Sequence, residues 1–128
     1  MGTITHLNPP ELHSSPAYSQ ATVAEAGRTL YIGGQNGTDR DGVITGGIAE
    51  QTAQALRNVL TLLAAAGAGP EHVARLNVYL AADVDPAEAY AATGAVWGAH
   101  PTAVTVVRVA GLGRPEALVE IEATAALG

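Results

Sequence analysis

At 128 residues, with 6 basic and 12 acidic side chains, the chain has the size of one folding unit and a net charge of −6. All the basic residues are arginines (Arg28, Arg40, Arg57, Arg75, Arg108, Arg114), scattered along the chain, and there is neither lysine nor cysteine. That composition excludes Schiff-base and thiolate catalysis, Cys-ligated zinc, iron–sulfur clusters and disulfides, and it offers no basic face for nucleic-acid phosphates. No apolar run approaches the roughly 18 residues of a membrane span, and the N-terminus shows no basic-then-apolar leader. A soluble cytoplasmic protein with no membrane contact is expected. With no Phe and one Trp, its core must come from Ala, Val, Leu and Ile. The lysine-free, Ala/Arg/Gly-rich usage suits a high-GC bacterial genome.

Residues 1–19, with Pro9, Pro10, Pro16, Ser14 and Ser15, read as an extended arm. Two short β-favouring runs, 20–24 and 29–33, flank Glu25-Ala26-Gly27 and predict a hairpin. Residues 34–47 are a glycine-rich loop with the turn Asp39-Arg40-Asp41-Gly42. The apolar positions 48, 55, 56, 59, 62, 63 and 66 have the one-face spacing of an amphipathic helix, ending at Gly67 with Pro70 beyond. Leu76, Val78 and Leu80 alternate with Arg75, Asn77 and Tyr79, which predicts a strand over 73–80. Asp85-Pro86-Ala87-Glu88 starts a second helix, expected to run to Trp97. Two strands, 103–110 and 117–125, follow His100-Pro101.

The order ββαβαββ predicts an α+β fold: one domain over residues 1–128, a mixed sheet with two helices on one face. Val104 and Val106 share one face of their strand, Val107 and Val109 the other. A strand apolar on both faces needs both covered, so further subunits are expected to cover the face without helices.

Pro16-Ala17-Tyr18-Ser19-Gln20, Gly34-Gln35, Glu50-Gln51-Thr52, Ala64-Ala65-Ala66-Gly67, His100-Pro101 and Val119-Glu120-Ile121-Glu122-Ala123 occur in an order and spacing that resembles the RidA/YjgF family. The resemblance spans essentially the whole chain. It implies a chorismate-mutase-like fold, a homotrimer with ligand clefts between subunits, no cofactor, and hydrolysis of reactive imines and enamines such as 2-aminoacrylate to 2-keto acids and ammonia. That chemistry needs a guanidinium on the substrate carboxylate, backbone and small polar groups on the imine, and a carboxylate that positions water and moves protons.

Under the resemblance, Tyr18 and Glu120 are the catalytic candidates, and Gly33, Gly34, Gln35, Tyr90, Val104 and Thr105 are the substrate-binding ones. Gly33 stands where a pocket serine is usual and Tyr90 where many members have asparagine. The family's Pro-Ala-Arg-Ser run is read as Thr102-Ala103-Val104-Thr105, which puts Val104 at the arginine. Losing a bidentate guanidinium costs a carboxylate substrate roughly two to four orders of magnitude. Two other arginines are rescue candidates: Arg114, in the last turn, and Arg108, on the face of position 104 but about 13 Å along the strand.

The expected pocket is less polar, suited to a neutral or bulkier ligand. Glu120 would act as general acid/base, with Tyr18 and the Gly34–Gln35 backbone as polarising donors. The reaction would be imine or enamine hydrolysis, tautomerisation or a related dehydration. A non-catalytic metabolite- or partner-binding trimer is the alternative, and a ribonuclease or translation inhibitor a third. Glu122 shares the face of Glu120, roughly 6–7 Å away, and reads as a solvated or interface carboxylate. His6, His13, His72 and His100 lack metal-ligand spacing, so no metal is expected. Gly33-Gly34-Gln35-Asn36-Gly37 lacks the lysine of a phosphate loop and reads as a pocket wall. Ser14, Ser15 and Ser19 lie outside any Gly-x-Ser-x-Gly frame, and Trp97 reads as helix-to-sheet core.

Overall fold

The computed structural model describes residues 2–128. Its strands are β1 (Ile4–Leu7), β2 (Ala21–Ala24), β3 (Thr29–Gln35), β4 (Val73–Ala81), β5 (Ala103–Val109) and β6 (Val119–Ala126); its helices are α1 (Ile48–Ala65), α2 (Pro86–Ala91) and α3 (Gly94–Trp97). β3, β6, β4 and β5 form a four-stranded sheet in that spatial order, parallel between β4 and β5 and antiparallel elsewhere. The expected mixed sheet with helices on one face is present.

Alternation makes the two faces different. Along β6, Val119, Ile121, Ala123 and Ala125 point toward α1 and are buried, while Glu120, Glu122 and Thr124 point the other way and are partly exposed. α1 meets them with Ala55, Leu56, Val59 and Leu63, all buried. The Glu50 carboxylate accepts the Gly47 N–H at 3.0 Å at its start. At its end Gly67, at φ 74°, takes the left-handed turn, and the N–H groups of Gly67 and Ala68 reach the carbonyls of Ala64 and Leu63.

Three expectations need correction. Part of the extended arm is a strand: β1 pairs antiparallel with β2, Ile4 opposite Ala24. The expected hairpin does not form, because β2 is taken by β1 and β3 pairs with β6; the Thr22 hydroxyl ties β2 to the Ala74 carbonyl at 2.6 Å. The second helix is broken into α2 and α3. Asp85 caps it through the Ala87 N–H at 2.9 Å as expected, but the Thr93 hydroxyl bonds back to the Tyr90 carbonyl at 2.8 Å. Thr followed by Gly94 is a weak helical pair, and that back-bond competes with the helix.

Candidate functional site

Glu120 lies on the sheet face without helices, next to the Gly33–Gly37 segment. Asn36 Nδ2 donates to Glu120 Oε1 at 3.2 Å and to the Val119 carbonyl at 3.0 Å. Asn58, from α1, holds that segment in turn through the carbonyls of Asn36 (3.2 Å) and Thr38 (2.9 Å). A Cβ on Gly34 would overlap the Glu120 carboxylate, whereas one on Gly33 would meet nothing. Glycine at 34 thus lets the backbone pass over the Glu120 carboxylate where it stands, since any side chain there would displace it, while the space at Gly33 is open. Gln35 Nε2 turns back to the Gly33 carbonyl at 3.1 Å.

The same face carries a polar band that sequence reading missed. Asn77 Nδ2 and the Tyr79 hydroxyl donate to Glu122 Oε1 at 3.1 and 2.7 Å, and Arg75 donates to Asn77 Oδ1 at 3.0 Å and to the Thr105 hydroxyl at 2.7 Å. The band crosses β6, β4 and β5, with Arg75 beside Ala103 in the strand register. The signal for it was the alternation Arg75-x-Asn77-x-Tyr79 itself. Glu122 is therefore an engaged acceptor. Its hydrogen bond, followed by desolvation and the charges of Glu122 and Glu120, raises the Tyr79 phenol above its ordinary pKa, with Arg75 opposing.

The other candidates lie elsewhere. Val104 points to the helix side, as do Tyr18 and Tyr90, and all three line an apolar cavity of about 280 Å³ between the sheet, α1 and the broken second helix. Thr105 alternates with Val104 and so shares the face of Glu120, but on the strand at the far edge of the sheet from β3. One chain thus brings Glu120, Gly34 and Gln35 together, and separately Tyr18, Tyr90 and Val104; it does not join the two groups.

Neither rescue arginine stands near Glu120's carboxylate. Arg114 pairs with Glu116 at 2.6 Å and donates to the Gly42 carbonyl, and Arg108, level with Leu80, lies on the Val104 side. Glu116 is held below the ordinary carboxylate range, by its own backbone N–H first and Arg114 second. Among the described residues no three His, Asp or Glu side chains converge as metal ligands, and no helix is long and apolar enough to cross a membrane.

The family profile described as Endoribonuclease L-PSP matches residues 9–127. The chain belongs to this RidA/YjgF family. A Rid-family protein from Yersinia pestis, YyfB, superposes with a TM-score of 0.88 at 38% identity, over 98% of this chain and 99% of that one. The YjgF gene product of E. coli does so at 0.72 and 28% identity, over 87% and 88%. Among curated family members, protein mmf1, mitochondrial, of Schizosaccharomyces pombe is 35% identical over 66% of this chain and 51% of that protein. The 2-iminobutanoate/2-iminopropanoate deaminase of Rattus norvegicus is 42% identical over 51% and 47%. The chain thus spans about half the length of these relatives in the matched regions.

Proposed function

We propose that the protein works as a homotrimer whose inter-subunit clefts take a small imine, enamine or related neutral metabolite, with Glu120 moving protons and positioning water. The observation that carries this reading is the construction around Glu120: a carboxylate held by Asn36, against a backbone whose glycine at 34 leaves it room, on a face with open space at Gly33. A carboxylate in that setting accepts a proton from water or an α-carbon and returns it. The Gly34–Gln35 backbone lines the approach to it.

Assembly supplies what one chain separates. β3, with Glu120 beside it, and β5, with Thr105, are opposite edges of the sheet. Both edges carry exposed apolar side chains, Tyr31 at 78% exposure on one and Val106 and Val107 on the other. Packing the β5 edge of one subunit against the β3 edge of the next covers both. It also brings Thr105 and Tyr18 toward a neighbour's Glu120.

We also reassign the lost arginine. Counting from Pro101 as the family's proline places it at Ala103, which shares the open face with Thr105, rather than at Val104, which faces inward. Either position lacks the guanidinium, so turnover of 2-imino acids is expected to be low. The two carboxylates on this face and the net charge of −6 repel phosphates and weigh against a ribonuclease.

Sedimentation mass together with turnover by Glu120→Gln tests the proposal. A trimer that loses turnover supports it. A trimer that binds its metabolite equally well with glutamine at 120, and turns nothing over in either form, identifies a receptor instead.

A further inference from the structure

The cavity under the broken second helix lies on the opposite side of the sheet from Glu120. Thr52 and Leu56 of α1, Val104 of β5, Trp97 of α3, and Tyr18 and Tyr90 at its mouth define its walls. The volume is about 280 Å³. An apolar cavity of about 150 Å³ already accepts a benzene-sized ring, so the space exceeds what one ring needs. No Asp, Glu or Arg is among the lining residues, which leave His100 as the one group there able to carry a positive charge.

One polar atom is out of place in it. Thr52 is 2% exposed, and its hydroxyl is the one buried side-chain polar atom without a hydrogen-bond partner among the described residues. Three other polar groups of the lining are engaged elsewhere: Thr102 donates to the Val73 carbonyl at 2.9 Å, Thr93 to the Tyr90 carbonyl at 2.8 Å and the Trp97 indole N–H to the His100 carbonyl at 3.0 Å. A buried hydroxyl without a partner is costly, and walls that are mostly apolar offer a water molecule few of the two to four polar partners it needs. A ligand with an apolar body and one polar group satisfies both the walls and the hydroxyl.

We propose that this cavity is a second binding site, taking a neutral one- or two-ring compound whose single hydroxyl or carbonyl group bonds Thr52. The cavity is bordered by Thr93 and Trp97, which lie at and beyond the break between α2 and α3. The cavity lies on the other side of the sheet from Glu120 of the same chain, and of its lining residues Tyr18 alone is also drawn into the proposed inter-subunit cleft.

Trp97 is the only tryptophan in the chain and reports directly on the cavity. Its fluorescence is followed while the protein is titrated with phenol, cyclohexanone, benzene and benzoate, at a mildly alkaline pH where benzoate is ionised. Phenol and cyclohexanone are expected to give saturable changes and benzoate to bind at least about tenfold more weakly, having no cation to meet. Thr52→Val, which keeps the volume, is expected to weaken phenol about two- to tenfold and leave benzene unchanged. Val104→Phe, which fills the space, is expected to abolish all four. Should that variant fail to fold, the phenol-to-benzene contrast in Thr52→Val decides alone. No saturable response to any neutral probe, or equal binding of benzoate, or equal loss of benzene and phenol in Thr52→Val, overturns the proposal.

Discussion

The backbone at Gly34 runs against the carboxylate of Glu120 so closely that a single methyl group at position 34 would occupy the space of that carboxylate. What would have to yield is the end of a flexible side chain. Gly34→Ala is therefore expected to leave thermal stability within about 1 kcal/mol of the natural protein while shifting Glu120 off Asn36. Its activity should fall by at least about tenfold. Equal activity in Gly34→Ala would show that the position of Glu120 does not matter.

Positions 103 and 104 make opposite predictions for the same substituent. An arginine at 104 enters the apolar cavity with no carboxylate to meet, and an unpaired buried charge destabilises by several kcal/mol. Arginine at 103 points to the open face beside Arg75 and Thr105 and is expected to be tolerated within about 1 kcal/mol. Chemical denaturation of the two variants separates them; a stable Val104→Arg and an unstable Ala103→Arg would reverse the assignment of faces.

Gln51 is expected to be the most damaging polar side chain to remove. It is 2% exposed. Its amide donates to the carbonyls of Gly46 and Glu116 at 3.1 and 3.2 Å and accepts the Leu118 N–H at 2.8 Å, pinning the loop before α1 to the start of β6. Gln51→Leu strands those groups and should cost about 2–4 kcal/mol in urea unfolding, with Asn58→Ala smaller because Asn58 itself is only half-buried.

Tyr79 provides a pH readout of the polar band. Its raised pKa means that the neutral phenol is favoured by folding. That contribution is fully present below the ordinary tyrosine pKa and is lost as pH rises through the raised one. Glu122→Gln removes the carboxylate hydrogen bond, the largest cause, and the Glu122 charge with it, while the Glu120 charge remains, so Tyr79 should titrate closer to the ordinary value, measured from its ring carbon shifts. An unchanged titration would place the cause outside Glu122.

Much of the fold was legible because apolar periodicity and caps are local. Leu76, Val78 and Leu80 alternating with polar residues gave β4, the 48–66 spacing with Gly67 gave α1, and Asp85 gave the start of α2. β1 was not legible, since Ile4-Thr5-His6-Leu7 sits in a proline-bordered arm and its partner is fixed by tertiary contacts. The candidate site was legible only in part. Glu120, Gly34 and Gln35 do come together, but the polar residues that hold them, Asn36 and Asn58, carry no periodic signal. Nor could residue spacing alone separate Val104 from Glu120: an offset of one residue on β5 moves a side chain to the other face of the sheet.

Ammonia release from enzymatically generated 2-aminoacrylate, compared across the natural protein, Ala103→Arg and the double variant Ala103→Arg with Glu120→Gln, tests the central claim most directly. The account predicts slow release by the natural protein, an increase of about ten- to a thousandfold with arginine at 103, and loss of that gain when Glu120 becomes glutamine. Fast release by the natural protein, or a gain that survives the loss of Glu120, would contradict it.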